Sequence, residues 1–179
     1  DHQAQRRKRW IESPALMPEP LRSILRAFND GPMLRFLEQM TGIKNLLPDN
    51  SYLGGGIHRV SSGGRLEIHA DFNWHPELKL HRRLNALLYL NEGWQESWGG
   101  ELELWAPDMS HCVKRIAPVF NRLVVFTITD RAFHGHPEPL RTPPDVDRLA
   151  FALYYYTKER PAAEISAPHW ATWQTRPTV

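Results

Sequence analysis

Leu66-Glu67-Ile68-His69-Ala70-Asp71-Phe72-Asn73 is the stretch on which the reading of this chain turns. Leu66, Ile68 and Ala70 alternate with Glu67, His69 and Asp71, the period of two that marks a strand with unlike faces. Side chains two apart on a strand point the same way. An imidazole and a carboxylate therefore project together, a pair able to bind a divalent metal through one nitrogen and one oxygen. Taken alone, the pair fits a surface histidine beside a turn aspartate equally well. Rival pairs stand at His75-x-Glu77 and His136-x-Glu138, each with a proline in the middle, which suits a loop or an edge better than a paired strand.

Strands surround the stretch. Gly54-Gly55-Gly56 predicts a bend before a strand at 57–60, and Ser61-Ser62-Gly63-Gly64 predicts a turn after it. At 83–91 one face carries Leu84, Ala86, Leu88 and Leu90, a plain core set. The other carries Arg83, Asn85, Leu87, Tyr89 and Asn91, where Asn85 and Tyr89 could bind a polar ligand inside a barrel. Further strands are predicted at 101–105, 113–116, 123–129 and 148–157. In the last of these, Arg148 shares a face with Ala150, Ala152, Tyr154 and Tyr156. Small residues beside an inward arginine leave space, and a guanidinium binds a carboxylate through two parallel hydrogen bonds, so this face suits a dicarboxylate.

Two helices precede the strands. The first, at 20–28, has the stripe Leu21, Ile24, Leu25 and Phe28 and is broken by Asn29-Asp30-Gly31. The second opens at Pro32, turns Met33, Phe36, Leu37 and Met40 inward and stops at Gly42. Both are expected to cover the outside of a sheet. Arg6-Arg7-Lys8-Arg9 reads as a solvated arm. The 72–76 segment either lines a substrate mouth or caps the sheet. The polar tail after Arg160-Pro161, with Trp170 and Trp173, is expected to dock on the surface or to be partly disordered.

With 179 residues, 41% hydrophobic and 23% charged, one domain is expected over 1–179. It divides into helical support at about 15–45, a β core at about 52–157 and a tail at 158–179. No apolar run approaches a membrane span, and no signal-peptide pattern opens the sequence. The single cysteine, Cys112, excludes an internal disulfide framework and fits a reducing, cytoplasmic compartment. A net charge of +2 is too small to imply nucleic acid.

The ordered set His69-x-Asp71, His134, Arg148 on a run of short strands resembles the Fe(II)/2-oxoglutarate-dependent dioxygenases, most of all their prolyl-4-hydroxylase-like branch. Arg83-Leu-Asn-Ala-Leu-Leu-Tyr-Leu-Asn91, Trp98-Gly-Gly-Glu-Leu-Glu-Leu104 and Arg148-Leu-Ala-Phe-Ala-Leu-Tyr-Tyr-Tyr-Thr157 support it. The resemblance implies a mainly β fold, a double-stranded β-helix or jelly roll, with the two N-terminal helices as support. It implies that His69, Asp71 and His134 hold Fe(II). Arg148 and the Tyr89 hydroxyl would bind the distal carboxylate of 2-oxoglutarate, with Asn85 and Leu102 lining its pocket. O2 is then the other cosubstrate, succinate and CO2 are released, and an unactivated C–H bond of a small molecule, nucleotide or peptidyl substrate is hydroxylated. His134 takes the place of the family's distal histidine, and His136 supports it or shapes the substrate mouth. Asp71 speaks against halogenation, for which such enzymes usually lack the carboxylate. Two departures stand out: Ala150 replaces the family's frequent serine, and a proline-rich 137–147 loop lengthens the interval to Arg148. Two other readings are a metal-binding jelly roll without catalysis, cupin-like, and an oxygenase acting on nucleic acid through Arg6–Arg9 and Lys79, His81, Arg82 and Arg83. The first has no need of Arg148 in a small-residue pocket. Within the oxygenase reading, those basic residues, with Arg59, could receive an anionic small molecule or a nucleotide.

Overall fold

The computed structural model describes residues 4–176, so the ends of the expected domain and tail, 1–3 and 177–179, lie outside the described residues. In chain order the elements are β1 (Gln5–Ile11), α1 (Glu19–Asn29), α2 (Gly31–Thr41), β2 (Leu47–Pro48), β3 (Gly56–Ala70), β4 (Trp74–His75) and β5 (Leu80–Tyr89). There follow β6 (Leu102–Trp105), β7 (Cys112–Ile116), β8 (Leu123–Thr127), β9 (His134–His136), β10 (Arg148–Thr157) and β11 (Thr172–Trp173). The chain is mainly β, and all pairings among the described strands are antiparallel.

β3 joins the two halves of the fold. Along one edge it pairs first with β10 (Val60 opposite Arg148) and then with β9 (His69 opposite His134). Along the other edge lie β1 and then β11. β8, β5 and β10 extend the sheet from the first part of β3, and β9, β6 and β7 extend it from the second. The sheet thereby curls into a jelly roll with a space between its two inner faces. The turn expected at 61–64 is instead a bend within one strand. β1 spans both sides of it, with Ile11 opposite Ile57 and Gln5 opposite Leu66, so the chain cannot reverse there. Gly63, at φ +74°, and Gly64 absorb the bend. The Gly63 amide donates to the Leu140 carbonyl at 2.8 Å, and the Leu140 amide donates to Gly64 at 3.0 Å.

The helices cover the outer face of β5 and β10, as expected. Leu25, Leu37, Leu84, Ala86, Phe151, Leu153 and Tyr155 form one buried cluster, with Leu21, Phe28, Met33 and Leu34 against it. Burying a Leu or Phe side chain of this kind contributes about 1.5–3 kcal/mol. α2 ends at Gly42, whose φ of +75° lets its amide reach the Glu38 carbonyl at 2.9 Å. Ile24, Phe36 and Met40, expected to face inward, are exposed. A helix on a flat sheet buries only a narrow stripe, and these three lie on its flank. No helix among the described residues is long and apolar enough to cross a membrane.

One close approach holds β9 to β3. A Cβ on Gly135 would lie 2.7 Å and 2.8 Å from the backbone carbonyl oxygens of Glu67 and Leu66, which cannot move aside as a side chain would. Gly135→Ala is expected to cost about 1–3 kcal/mol by overpacking. In a thermal melt this reads as a fall in Tm of roughly 2–12 °C.

Candidate metal centre

Antiparallel pairing sets His69, near the end of β3, directly opposite His134, the first residue of β9, and Asp71 follows just beyond the strand. Their donor atoms lie within 4.8 Å of one another. His134 Nε2 is 3.3 Å from Asp71 Oδ2, and His69 Nε2 is 3.6 Å from Asp71 Oδ1. Both imidazoles are anchored from behind. His69 Nδ1–H donates to the Glu67 carbonyl and His134 Nδ1–H to the Ala132 carbonyl, each at 2.9 Å. A carbonyl can only accept, so in each neutral ring the proton sits on Nδ1 and the Nε2 lone pair faces the cluster. Burial, aided by His134, lowers the pKa of His69 and keeps it in that neutral form. Burial alone would raise the Asp71 carboxyl. Arg82, His134 and His69 outweigh it and hold Asp71 well below the usual carboxylate range. Two bare imidazole nitrogens and an ionised carboxylate on one side of a cavity are a donor set for a divalent transition metal with open positions.

Arg82 is a central residue that the sequence reading placed elsewhere. It is fully buried, and its Nη2 donates to Asp71 Oδ2 at 3.0 Å and to Asn85 Oδ1 at 2.6 Å. Asn85 Nδ2 closes the triangle by donating to Asp71 Oδ2 at 2.7 Å. The guanidinium lies 3.5 Å from the centre of the Tyr154 ring and 4.2 Å from that of Phe72. Strict alternation grouped Arg83 with Asn85. A β-bulge at Arg83, opposite the Tyr155–Tyr156 step, shifts the register by one. Arg82 then turns inward, and Arg83 turns to Thr157 and Glu164. Both arginines are buried, so the basic cluster proposed for nucleic acid offers no surface at those two positions.

Beyond the triad the cavity runs to Arg148. Arg148 is buried, donates from Nε to the Gly100 carbonyl at 2.8 Å and from Nη2 to the Tyr89 hydroxyl at 3.2 Å. Asn85, Leu102 and Ala150 line the space between. His136 lines it too but stands outside the donor cluster. Its Nδ1 is buried without a hydrogen-bond partner among the described residues, a free polar atom in the cavity wall. The cavity is tight, about 70 Å³, whereas an open groove along Lys44, Asn45 and Arg160 measures about 660 Å³. Chemistry rather than volume marks the site, since among the described residues only the tight cavity holds a metal-donor cluster.

Two further segments reach the site. The expected solvated arm is strand β1, and its Lys8 lines the cavity wall. The tail also does more than dock, since β11 pairs with the end of β3 and sets the Trp173 ring 4.8 Å from that of His69. In the 72–76 segment, Phe72 packs on the Arg82 guanidinium, while Trp74 and His75 pair with β5.

The model of the 2OG-Fe(II) oxygenase superfamily matches residues 55–156, from the start of β3 almost to the end of β10. The chain belongs to this superfamily. A prolyl 3-hydroxylase of Mus musculus is 32% identical over 79 residues, 42% of this chain, which spans only 14% of that protein's length. Three solved structures share the fold. A Pseudomonas putida prolyl-4-hydroxylase matches with a TM-score of 0.55 at 22% identity, over 84% of this chain and 68% of its own. The collagen prolyl hydroxylase of Paramecium Bursaria Chlorella virus-1, solved with 2OG, matches at 0.56 and 14%, over 85% and 80%. A Trichoplax adhaerens prolyl hydroxylase, solved with a hypoxia-inducible factor peptide fragment, matches at 0.55 and 22%, over 83% and 61%. The jelly roll is thus the fold of prolyl-4-hydroxylase-like oxygenases. The superfamily's Fe(II), 2-oxoglutarate and O2 fit what is present: two Nδ1-anchored imidazoles, one ionised carboxylate and a buried arginine along the same cavity.

Arg82 and Asn85 fix the Asp71 carboxylate. Replacing Arg82 by Met keeps the stem between Tyr154 and Phe72 and removes the donors. Mn(II) affinity, measured calorimetrically, is expected to fall by about tenfold or more, the usual cost of losing a group that orients a metal ligand.

Proposed function

We propose that this chain is an Fe(II)- and 2-oxoglutarate-dependent hydroxylase. His69, Asp71 and His134 would hold the metal, Arg148 and the Tyr89 hydroxyl would take the distal carboxylate of 2-oxoglutarate, and Asn85 and Leu102 would line its pocket. The observation that carries the reading is a single cavity with the donor cluster at one end and a buried arginine between small and apolar residues at the other. When bound, the metal and 2-oxoglutarate supply O2 activation coupled to decarboxylation, giving succinate, CO2 and a hydroxylated C–H bond.

The chain's own residues do the positioning. The Glu67 and Ala132 carbonyls fix the tautomers of the two histidines. Arg82 and Asn85 keep Asp71 ionised and in place. Gly100 and Tyr89 aim the Arg148 guanidinium, which leaves its remaining donors for a carboxylate in bidentate geometry. Val60, Leu66, Leu87 and Leu102 give the cavity apolar walls that keep out water. Ala150 contributes a methyl group where the family often has a hydroxyl, so Arg148 and Tyr89 would hold the distal carboxylate without it. A peptidyl substrate is supported by the peptide bound to the Trichoplax relative. The lone Cys112 supports work in a reducing, cytoplasmic compartment. Against a cupin-like binder stands Arg148, which a metal site alone does not require.

Anaerobic addition of 2-oxoglutarate to the Fe(II) protein is expected to give a metal-to-ligand charge-transfer band. In air, slow succinate formation should follow and disappear in His134→Ala. Arg148→Gln leaves a carboxylate facing a neutral amide and is expected to weaken 2-oxoglutarate binding by roughly 30- to 1,000-fold, about 2–4 kcal/mol. An Fe(II) protein that shows neither the band nor 2-oxoglutarate binding would refute the assignment.

A further inference from the structure

We propose that Lys8 receives an anionic group of the prime substrate, a carboxylate or a phosphoryl group, at the wall of the metal cavity. This rests on reading the cavity as the Fe(II)/2-oxoglutarate site. Lys8 comes from outside the matched family core, which begins at residue 55. β1 sets it opposite Val60, on the cavity shared by the triad and Arg148. Lys8 also borders an outer groove with Arg7, Arg9 and Arg59, a cationic surface next to the cavity.

The charges in the cavity are otherwise spoken for. Asp71 pairs with Arg82, and the distal carboxylate of the cosubstrate would take Arg148. The proximal carboxylate would offset only part of the charge on a divalent metal. Among the described residues no carboxylate forms an ion pair with Lys8, whose Nζ lies 5.7 Å from the centre of the Trp10 ring. Burial pushes the Lys8 pKa down to about 8, with Asp71 opposing and Arg148 and Arg82 adding to the fall. An ammonium repelled by two guanidiniums and without a carboxylate of its own is a cost to the fold that an incoming anion relieves. The neighbouring His58 adds no competing charge, since burial, first of all, holds it well below the usual histidine range. His58 Nε2–H donates to the Gly54 carbonyl at 2.9 Å, and His136 Nδ1 is unpartnered. Among the described residues, Lys8 is thus the one cation in the cavity wall that metal and cosubstrate leave unmatched.

The test uses protein loaded with redox-inert, paramagnetic Mn(II) and saturating 2-oxoglutarate. Inorganic phosphate and 13C-acetate are titrated in separately, and the line broadening of the 31P or 13C resonance is read. Saturable broadening of at least one anion is expected, at least tenfold weaker in affinity in Lys8→Met and restored to within threefold in Lys8→Arg. Broadening of phosphate alone assigns a phosphoryl group, and broadening of acetate alone assigns a carboxylate. Equal broadening in wild type and Lys8→Met, or none with either anion, overturns the proposal. 2-Oxoglutarate affinity is measured on the same samples. Its absence in wild type sinks the underlying reading, whereas its loss in Lys8→Met alone assigns Lys8 to the cosubstrate and overturns the inference.

Discussion

The register between β3 and β9 is the constraint on which the rest of the molecule depends. His69 stands opposite His134, and a slip of one residue would send one imidazole to the far face of the sheet. That register is guarded by backbone contact, since Gly135 lies too close to the Leu66 and Glu67 carbonyls for any side chain. It also explains the length of β3. A single strand must run through both halves of the jelly roll, because its first part pairs with the strand that carries Arg148 and its second with the strand that carries His134. The two ends of the cavity are thereby tied to one rigid element rather than to separate loops.

Electrostatics then divides the cavity. Among the described residues Asp71 is its one carboxylate, held by Arg82 and Asn85, and the other polar groups of its wall include Lys8, Arg148 and four imidazoles, set among apolar side chains. Burying the Asp71–Arg82 pair is not justified by stability, since the desolvation of two charges commonly offsets their attraction. Its value is geometric: a fixed, ionised carboxylate beside two histidines whose tautomers are already set. The same arrangement makes the interior attractive to anions.

Much of this was legible in the sequence, for local reasons. The alternation in 148–157 separated Arg148, Ala150 and Ala152 from Phe151 and Leu153, and the faces of β10 follow it. Asn85 and Leu102 reach the cavity, and Tyr89 meets Arg148 there, as strand periodicity suggested for Asn85 and Tyr89 and the family resemblance for Leu102. What failed was non-local. Four successive cations at 6–9 carry no apolar period, and only pairing with the edge of β3 makes them a strand. Arg82 and Arg83 are adjacent and alike. Which of them faces the metal centre is decided by a bulge whose cause is the register of β10, far along the chain. The glycines at 63–64 signal a change of direction, but whether they reverse the chain or bend it depends on the strand lying across them.

Two segments that the sequence reading left outside the β core share a location. β1 and β11 occupy the same edge of β3, opposite the edge that carries β10 and β9; Lys8 from one lines the cavity, and Trp173 from the other packs against His69. Neither lies within the matched residues 55–156. The matched residues hold the metal-donor cluster and Arg148. The added edge strands close the one side of β3 that the core leaves open, and a segment free to vary around fixed chemistry is where substrate selection can be built. From outside the family core, β1 and β11 thus add a cation to the cavity wall and an indole against His69.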